Sequence, residues 1–202
     1  MKVVGFNGSP RKDGNTYLAI KTVFEVLESQ GIETELIHIA GEPVYGCNAC
    51  GACKKTGDGL CIIDSDILNE CQKKMYESQG IIIGSPVYFG SVTPQVKALI
   101  DRSGYCARAG GNLLKRKVGA GVIAVRRAGA VETLHQINNL FLLNQVIIPG
   151  SIYWNMGIGR EKGEILDDEE GMDTFRNLGE NMAWLIKKLN KLCAGYNRSK
   201  SM

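Results

Sequence analysis

Short apolar segments alternate with amphipathic ones along the whole of this 202-residue chain, and this alternation constrains its fold more than any other feature. The amphipathic segments carry apolar residues at steps of three and four, the spacing of one helix face. Because a helical segment separates most successive strands, crossovers must join them into a parallel sheet that is covered on both faces. The sequence therefore predicts a doubly wound α/β domain. Its five predicted strands cover residues 2–6, 33–39, 81–83, 118–125 and 145–148.

Length and charge narrow the class of protein further. We expect one domain over residues 1–195, followed by a polar tail over 196–202. The 24 basic and 21 acidic residues leave a net charge of +3, too small a field to predict nucleic acid as a partner. No apolar run reaches the roughly 18 to 20 residues of a membrane helix, and the first residues do not resemble a signal peptide. We therefore expect a cytoplasmic protein with no membrane partner.

The loop after the first strand has the composition of a phosphate site. In a sheet of order 2-1-3-4-5, ligands bind past the carboxyl ends of strands one and three, where the strand order reverses. The loop opens into a helix, whose N-terminus favours an anion. Donors to a phosphate would be Ser9, Arg11, Asn15 and Thr16. The Walker sequence is absent, which favours a monophosphate without a metal. The alternative is that Asn15 and Thr16 only cap the helix.

The loop after the third strand carries two adjacent aromatic residues. Tyr88 and Phe89 stand between Pro86 and Gly90, at the place where a flat ring bound at this edge would lie. Such a pair is often only a packed lid. Its predicted position beside the phosphate loop favours a ligand instead, and a phosphate pocket next to an aromatic surface suits flavin mononucleotide (FMN).

Three motifs in this chain resemble those of the flavodoxin-like FMN reductase family. They are FNGSPRKDGNT (residues 6–16), GSPVYFGSVTPQVKALIDR (84–102) and YWNMG (153–157). The resemblance implies a flavodoxin-like five-stranded sheet and FMN as the cofactor. It also adds the loop after the fourth strand to the flavin site. The residues that it assigns to FMN are Ser9, Arg11, Asn15, Thr16, Pro86, Val87, Tyr88, Phe89, Gly90, Arg126 and Gly129.

A cysteine-rich insertion over residues 41–64 follows the second strand and is far longer than an ordinary connection. It carries Cys47, Cys50, Cys53 and Cys61, a spacing similar to the compact ferredoxin run, although no proline follows the last cysteine. This pattern favours a 4Fe–4S cluster and resembles the iron–sulfur flavoprotein branch of the family. Structural zinc, a redox disulfide and empty thiols stay open as alternatives. The remaining cysteines, predicted to be isolated small residues, are Cys71, Cys106 and Cys193.

The resemblance implies an FMN-dependent electron-transfer oxidoreductase. Electrons would pass from a reduced carrier such as ferredoxin through the cluster to FMN, and then to oxygen, peroxide or a quinone-like acceptor. No side chain is assigned a catalytic role, because the cofactors carry the chemistry. The alternatives are an NAD(P)H-dependent FMN or quinone reductase without a cluster, and a non-enzymatic carrier or redox sensor. We expect a homodimer or homotetramer, with Tyr153 and Trp154 as candidate contacts unless they pack within the monomer.

Overall fold

Five parallel strands form one sheet in the order β2-β1-β3-β4-β5 in a computed structural model of the protein. This order and the parallel direction confirm the predicted fold class. The structure describes residues 1–199, with side chains described as far as residue 192. The strands are β1 (Lys2–Asn7), β2 (Glu33–His38), β3 (Gly80–Pro86), β4 (Val118–Val125) and β5 (Met156–Ile158).

Helices connect the strands and cover both faces of the sheet. They are α1 (Asn15–Ser29), α2 (Ala52–Thr56), α3 (Leu68–Glu77), α4 (Pro94–Ala109), α5 (Ala130–Leu143) and α6 (Glu169–Ser199), and a 3₁₀ turn spans Glu164–Asp167. Two of them, α2 and α3, lie between β2 and β3, so the cysteine-rich insertion contains one short helix.

Alternate residues of each central strand enter two separate cores. In β3, Ile82 packs with α1 and α6 on one face, whereas Ile81 and Ile83 pack with α3, α4 and α5 on the other. These three side chains are fully buried. Burial on both faces explains why the central strands have continuous apolar sequences, in which apolar residues do not alternate with polar ones.

The fifth strand was predicted in the wrong place. It was assigned to residues 145–148, but β5 is Met156–Ile158, which pairs with the last residues of β4. The predicted segment makes only an isolated bridge, between Ile147 and Val118 at the start of β4. Pro149 follows at once and cannot donate a backbone hydrogen bond, so pairing stops there. The chain then leaves the sheet and returns to its edge seven residues later.

The last helix extends beyond the predicted domain boundary. Because α6 continues to Ser199, the polar tail predicted over 196–202 begins inside a helix, and residues 200–202 lie outside the described residues. None of the helices in the described part of the chain is long and apolar enough to cross a membrane. The single domain over 1–195 stays a prediction.

Close backbone contact at Gly8 joins β1, β3 and α4. The Gly8 amide donates to the Gly84 carbonyl at 2.9 Å, and the Thr93 hydroxyl donates to the Gly8 carbonyl at 2.8 Å. A Cβ at Gly8 would lie 2.0 Å from Cγ2 of Val96, a distance that no real side chain tolerates.

The substitution Gly8→Ala should therefore lower the free energy of unfolding by about 1–3 kcal/mol, the typical cost of overpacking. Urea denaturation measures the change. Gly150→Ala is the control, because an added Cβ there meets nothing within 4 Å, and its effect should stay within about 0.5 kcal/mol. Equal losses in the two variants would contradict the proposed steric cause.

An ion-pair network at the β1–β2 edge makes stability depend on pH. The Glu35 carboxylate lies 2.6 Å from the Lys2 ammonium and 2.9 Å from that of Lys74. Hydrogen bonds from Lys2 and then Lys74 lower the pKa of Glu35 below its ordinary value. A carboxylate with a lowered folded pKa stabilises the fold above its unfolded pKa of about 4.3, and this contribution is lost as pH falls through the folded value.

Glu35→Gln should consequently destabilise the protein at pH 7, and the difference from the wild type should shrink as pH falls below about 4. Chemical denaturation across this pH range measures both. Glu25→Gln provides the control, because Glu25 is exposed on α1 and makes no ion pair among the described residues. A difference for Glu35→Gln that stays constant down to pH 2 would show that the ion pairs do not cause it.

Candidate functional site

A cavity of about 200 Å³ opens at the carboxyl ends of β1, β3 and β4, where the strand order reverses. We call it the strand-end cavity. Eight of the eleven residues predicted to contact FMN line it, from three separate loops. The full lining is Ser9, Pro10, Arg11, Asn15, Thr16, Pro86, Val87, Tyr88, Ala124, Arg126, Gly159 and Arg160.

The loop between β1 and α1 is held by its own polar side chains. Asn7 accepts a hydrogen bond from the Ser9 amide at 3.0 Å and donates to the Lys12 carbonyl at 2.9 Å. The Ser9 hydroxyl in turn accepts from the Arg11 amide at 3.2 Å. The helix that follows begins after Gly14 without a side-chain cap. Its first backbone N–H groups are therefore suited to an anionic ligand.

Thr16 carries a buried hydroxyl with an unmet hydrogen-bonding capacity. The residue is 1% exposed, and its Oγ1 has no hydrogen-bond partner in the part of the chain that the structure describes. Leaving a buried hydroxyl unpaired costs about 1–3 kcal/mol. Exposed guanidinium groups of Arg11, Arg126 and Arg160 line the same cavity. A phosphate would satisfy the hydroxyl and pair with these cations, so the residues fit the FMN phosphate.

Asn15 makes hydrogen bonds to the loop after β5, which the sequence did not predict. Its amide nitrogen donates to the Glu161 carbonyl at 2.9 Å, and its amide oxygen accepts from the Gly163 amide at 2.8 Å. An ion pair between Lys162 and Asp13 spans the same two segments. Asn15 thus joins the loop after β5 to the loop after β1, and its contact with the FMN phosphate stays a prediction.

Sequence reasoning missed four residues of the cavity: Pro10, Ala124 and an adjacent pair, Gly159 and Arg160. Gly159 and Arg160 follow β5. Because the fifth strand was predicted at the wrong residues, the loop after it was not considered as part of the site. A Cβ at Gly159 would lie 2.8 Å from the Asn15 amide nitrogen, so a glycine is needed where the two loops meet. The only signal for this loop in the sequence was the apolar segment Met156–Ile158. A segment of three residues is too short to be recognised by periodicity.

The aromatic loop is a tight turn at the rim of the cavity. Tyr88 and Ser91 exchange backbone hydrogen bonds of 2.8 and 3.0 Å around Phe89 and Gly90, which both have positive φ. Tyr88 lines the cavity, whereas Phe89 is fully exposed and does not. Gly90 and Gly129 also lie outside the lining. They pack against each other, because a Cβ at Gly129 would be 3.1 Å from the Gly90 Cα.

A second cavity, of about 190 Å³, contains all four clustered cysteines. We call it the cysteine cavity. Helix α4 supplies its remaining wall through Arg102, Tyr105 and Cys106. Within the described residues, no three His, Cys, Asp or Glu side chains converge as ligands of a single metal ion. The four thiols therefore line one cavity and are not arranged as the ligands of one metal ion.

Hydrogen bonds from α3 hold the closing end of the cysteine loop. Asn69 accepts from the Cys61 amide at 3.0 Å and donates to the Cys61 carbonyl at 2.8 Å. The Tyr76 hydroxyl donates to the Gly59 carbonyl at 2.6 Å. These contacts attach the loop to the domain, so the position of Cys61 is set by the fold.

Cys106 is a fifth thiol beside the cluster of four, and the prediction that it is isolated was wrong. It is 1% exposed and lines the same cavity as Cys53 and Cys61. Burial, followed by the charges of Cys53 and Cys61, raises the pKa of the Cys106 thiol to about 12. Cys71 is buried in the core, as predicted. The side chain of Cys193 lies outside the described residues.

Comparison with known proteins places this chain among flavoproteins. The sequence pattern of the family described as NADPH-dependent FMN reductase matches residues 1–161. An iron–sulfur flavoprotein of Methanocaldococcus jannaschii is 40% identical over 95% of this chain and 100% of its own length. Another iron–sulfur flavoprotein, from Methanosarcina thermophila, is 35% identical over 95% of this chain and 98% of its own.

A solved structure agrees with the fold. The flavoenzyme NAD(P)H:(acceptor) oxidoreductase of Paracoccus denitrificans superposes with a TM-score of 0.67 at 18% identity, covering 93% of this chain and 97% of that one. This similarity concerns the fold alone. The family pattern covers more than half of the chain, and the two relatives cover nearly all of it. The chain therefore belongs to the NADPH-dependent FMN reductase family, in its iron–sulfur flavoprotein branch, and is an FMN-dependent oxidoreductase.

Proposed function

We propose that this oxidoreductase transfers electrons through a 4Fe–4S cluster, held by Cys47, Cys50, Cys53 and Cys61, to FMN in the strand-end cavity. The flavin then reduces a small acceptor such as oxygen, peroxide or a quinone-like compound. The observation that carries the proposal is that all four thiols line one cavity whose wall contains a buried guanidinium. A flavin accepts one or two electrons, so it can connect a one-electron donor with a two-electron acceptor.

The chemistry of the cysteine cavity supports a cluster. A cubane is held by four thiolates around its outside, so its ligands surround a volume, as these four do. The cationic side chain of Arg102 lies in the same wall and compensates negative charge. The relatives described above are named iron–sulfur flavoproteins. A disulfide between Cys47 and Cys50 would leave Cys53 and Cys61 without a role.

The strand-end cavity supports the position of the flavin. Its inner part offers the Thr16 hydroxyl and the α1 N-terminus to a phosphate, and its rim offers Pro86, Val87 and Tyr88 to a ring. Arg126 lies at the same rim and would stabilise negative charge on a reduced flavin. Phe89, Gly90 and Gly129 would act by shaping the neighbouring turn, which keeps Tyr88 at the rim.

The electron donor is either a reduced one-electron carrier or NADPH. We propose a reduced ferredoxin as the donor, because a carrier of single electrons matches a cluster that accepts one electron at a time. The family description favours NADPH instead. Anaerobic reduction of the bound flavin by each donor separately distinguishes them. Flavin bleaching by NADPH at the same rate in a cluster-free variant would favour direct hydride transfer.

We also propose that the protein works as a homodimer or homotetramer in the cytoplasm. Tyr153 and Trp154 stack edge to face, with ring centroids 4.6 Å apart, yet each side chain remains about half exposed at 50% and 47%. Exposed aromatic pairs are typical of interface centres. Light scattering of the wild type and of a Trp154→Ala variant would test their role, and a monomeric wild type would contradict the proposal.

Replacing one cluster ligand should remove iron without removing FMN. Cys50→Ala leaves three thiolates, so the anaerobically purified variant should lose most of its iron and inorganic sulfide while keeping its flavin. Cys71→Ala provides the control, because Cys71 is buried in the core away from the cysteine cavity. Metal analysis and flavin absorbance measure both. Full iron content in Cys50→Ala would contradict the assignment of this ligand.

Removing the Thr16 hydroxyl should weaken FMN binding. Thr16→Val keeps the shape of the side chain but deletes one donor to the phosphate, which should lower FMN affinity about 10- to 100-fold, from a loss of about 1.5–3 kcal/mol. Titration of the apoprotein with FMN, followed by fluorescence, measures it. In the control Thr22→Val, the hydroxyl removed donates to the Leu18 carbonyl on the same helix, outside the cavity. Similar affinities in the two variants would place the phosphate elsewhere.

A further inference from the structure

Arg102 is the largest fully buried side chain of the protein's described residues, and charge compensation alone does not explain why it is buried completely. It lies on α4, one helical turn before Cys106, and both residues line the cysteine cavity. Burying a guanidinium is costly unless it is paired and fully hydrogen-bonded. The partners of Arg102 therefore indicate what the residue does.

Those partners lie on both sides of the cysteine loop. One terminal nitrogen, Nη1, donates to the Tyr45 carbonyl at 3.2 Å and pairs with the Asp66 carboxylate. The other, Nη2, donates to the Ile63 carbonyl. Tyr45 precedes the first cluster cysteine by two residues, and Ile63 follows the last one by two. A single side chain thus fastens the entry and the exit of the loop to α4.

Asp66 completes this connection. Its carboxylate accepts from the Tyr45 amide at 2.9 Å and from the Leu68 amide at 3.1 Å, in addition to its pairing with Arg102. Its side chain is fully buried. Burial opposes ionisation, but the hydrogen bond from Arg102 and those from the two amides outweigh it and lower the pKa of Asp66. The Arg102–Asp66 pair remains charged at neutral pH and joins α4 to the segments before and after the cysteines.

One donor of Arg102 has no partner. The Nε–H group is buried and makes no hydrogen bond to any described residue, although both terminal nitrogens of the guanidinium are hydrogen-bonded. An unpaired donor on a buried cation is expensive, and the cavity that Arg102 lines is the one that contains the four cysteines. A sulfur acceptor in that cavity would satisfy it.

We propose that Arg102 is a positioning residue for the cluster: it fixes both ends of the cysteine loop, and its Nε–H donates a hydrogen bond to a sulfur of the cluster or of a ligating cysteine. This inference rests on the proposed cluster and adds a residue that the cysteine motif does not contain. Hydrogen bonds to cluster sulfurs stabilise the more negative, reduced state and raise the reduction potential. Arg102 therefore affects both the retention of the cluster and its potential.

The direct test uses the wild-type protein and needs no substitution. Protein labelled with ¹⁵N-arginine is purified anaerobically, its cluster is reduced, and electron–nuclear double resonance detects nitrogen nuclei coupled to the paramagnetic cluster. We expect a weak ¹⁵N coupling from arginine. Its absence in a protein that contains the cluster would overturn the proposal. Absence of the cluster itself would instead overturn the proposed function on which the inference depends.

Two variants extend the test. Arg102→Lys keeps the charge but has no Nε–H and cannot reach both ends of the loop. It should lose the ¹⁵N coupling, shift the cluster potential to more negative values, and release iron to a chelator about 10-fold faster. The control, Arg108→Lys, changes an exposed arginine on the same helix and should leave all three unchanged. Flavin content and melting temperature verify folding. A folded Arg102→Lys with wild-type potential and iron release would overturn the proposal, and if this variant does not fold, the wild-type coupling decides alone.

Discussion

Parallel pairing of β1 with β3 is the contact on which both cofactor regions depend. It brings the loops after these strands to one edge of the sheet, and the Gly8 amide joins them through the Gly84 carbonyl. Thr93, which caps α4, donates to the Gly8 carbonyl, so the same junction sets the position of that helix. Because α4 forms the wall of the cysteine cavity, the geometry of the strand-end cavity and that of the cysteine cavity derive from one junction.

The two cavities are built by different physical means. The strand-end cavity is assembled from short loops whose hydrogen bonds are local, such as those of Asn7, and from the contact between Asn15 and the loop after β5. The cysteine cavity depends on a long insertion that a buried ion pair, Arg102 with Asp66, fastens at both ends. A long loop gains order only when such contacts outweigh the conformational entropy that it loses. The buried pair supplies this constraint two residues before the first clustered cysteine and two residues after the last.

Much of this architecture was accessible from sequence. The central strands of residues 81–83 and 118–125 are buried on both faces, so their apolar runs were unambiguous. The strand order predicted ligand loops after the first and third strands, whereas the loop after the fourth strand was predicted only from the family resemblance. The fifth strand was misplaced because an edge strand of three residues carries almost no periodic signal. The segment 145–148 is apolar because Val146 is buried in the core and Ile148 packs against it, while Ile147 makes only one bridge to β4. As a consequence, the contact of Asn15 with residues 161–163 was not foreseen, because these partners lie in the loop after β5.

Residues from distant segments were the hardest to foresee. Cys106 and Arg102 lie far along the chain from the cysteine motif, and only the packing of α4 against the insertion brings them together. A spacing rule examines neighbours in sequence, so it finds the four ligands but not the side chains that surround them. One signal was available: Arg102 lies on the helix face that carries Val96 and Leu99, and an arginine is almost never fully buried unless it is paired.

The central claim is that one chain carries two redox centres that exchange electrons. Anaerobic reductive titration of the purified protein with dithionite tests it most directly, because the number of electrons taken up per chain counts the centres. FMN accepts two electrons and a 4Fe–4S cluster one, so we expect about three electrons per chain, with the absorbance of both centres changing. An uptake of about two electrons, with the flavin as the only centre that changes, would contradict the account and leave a flavin enzyme with redox-inactive cysteines.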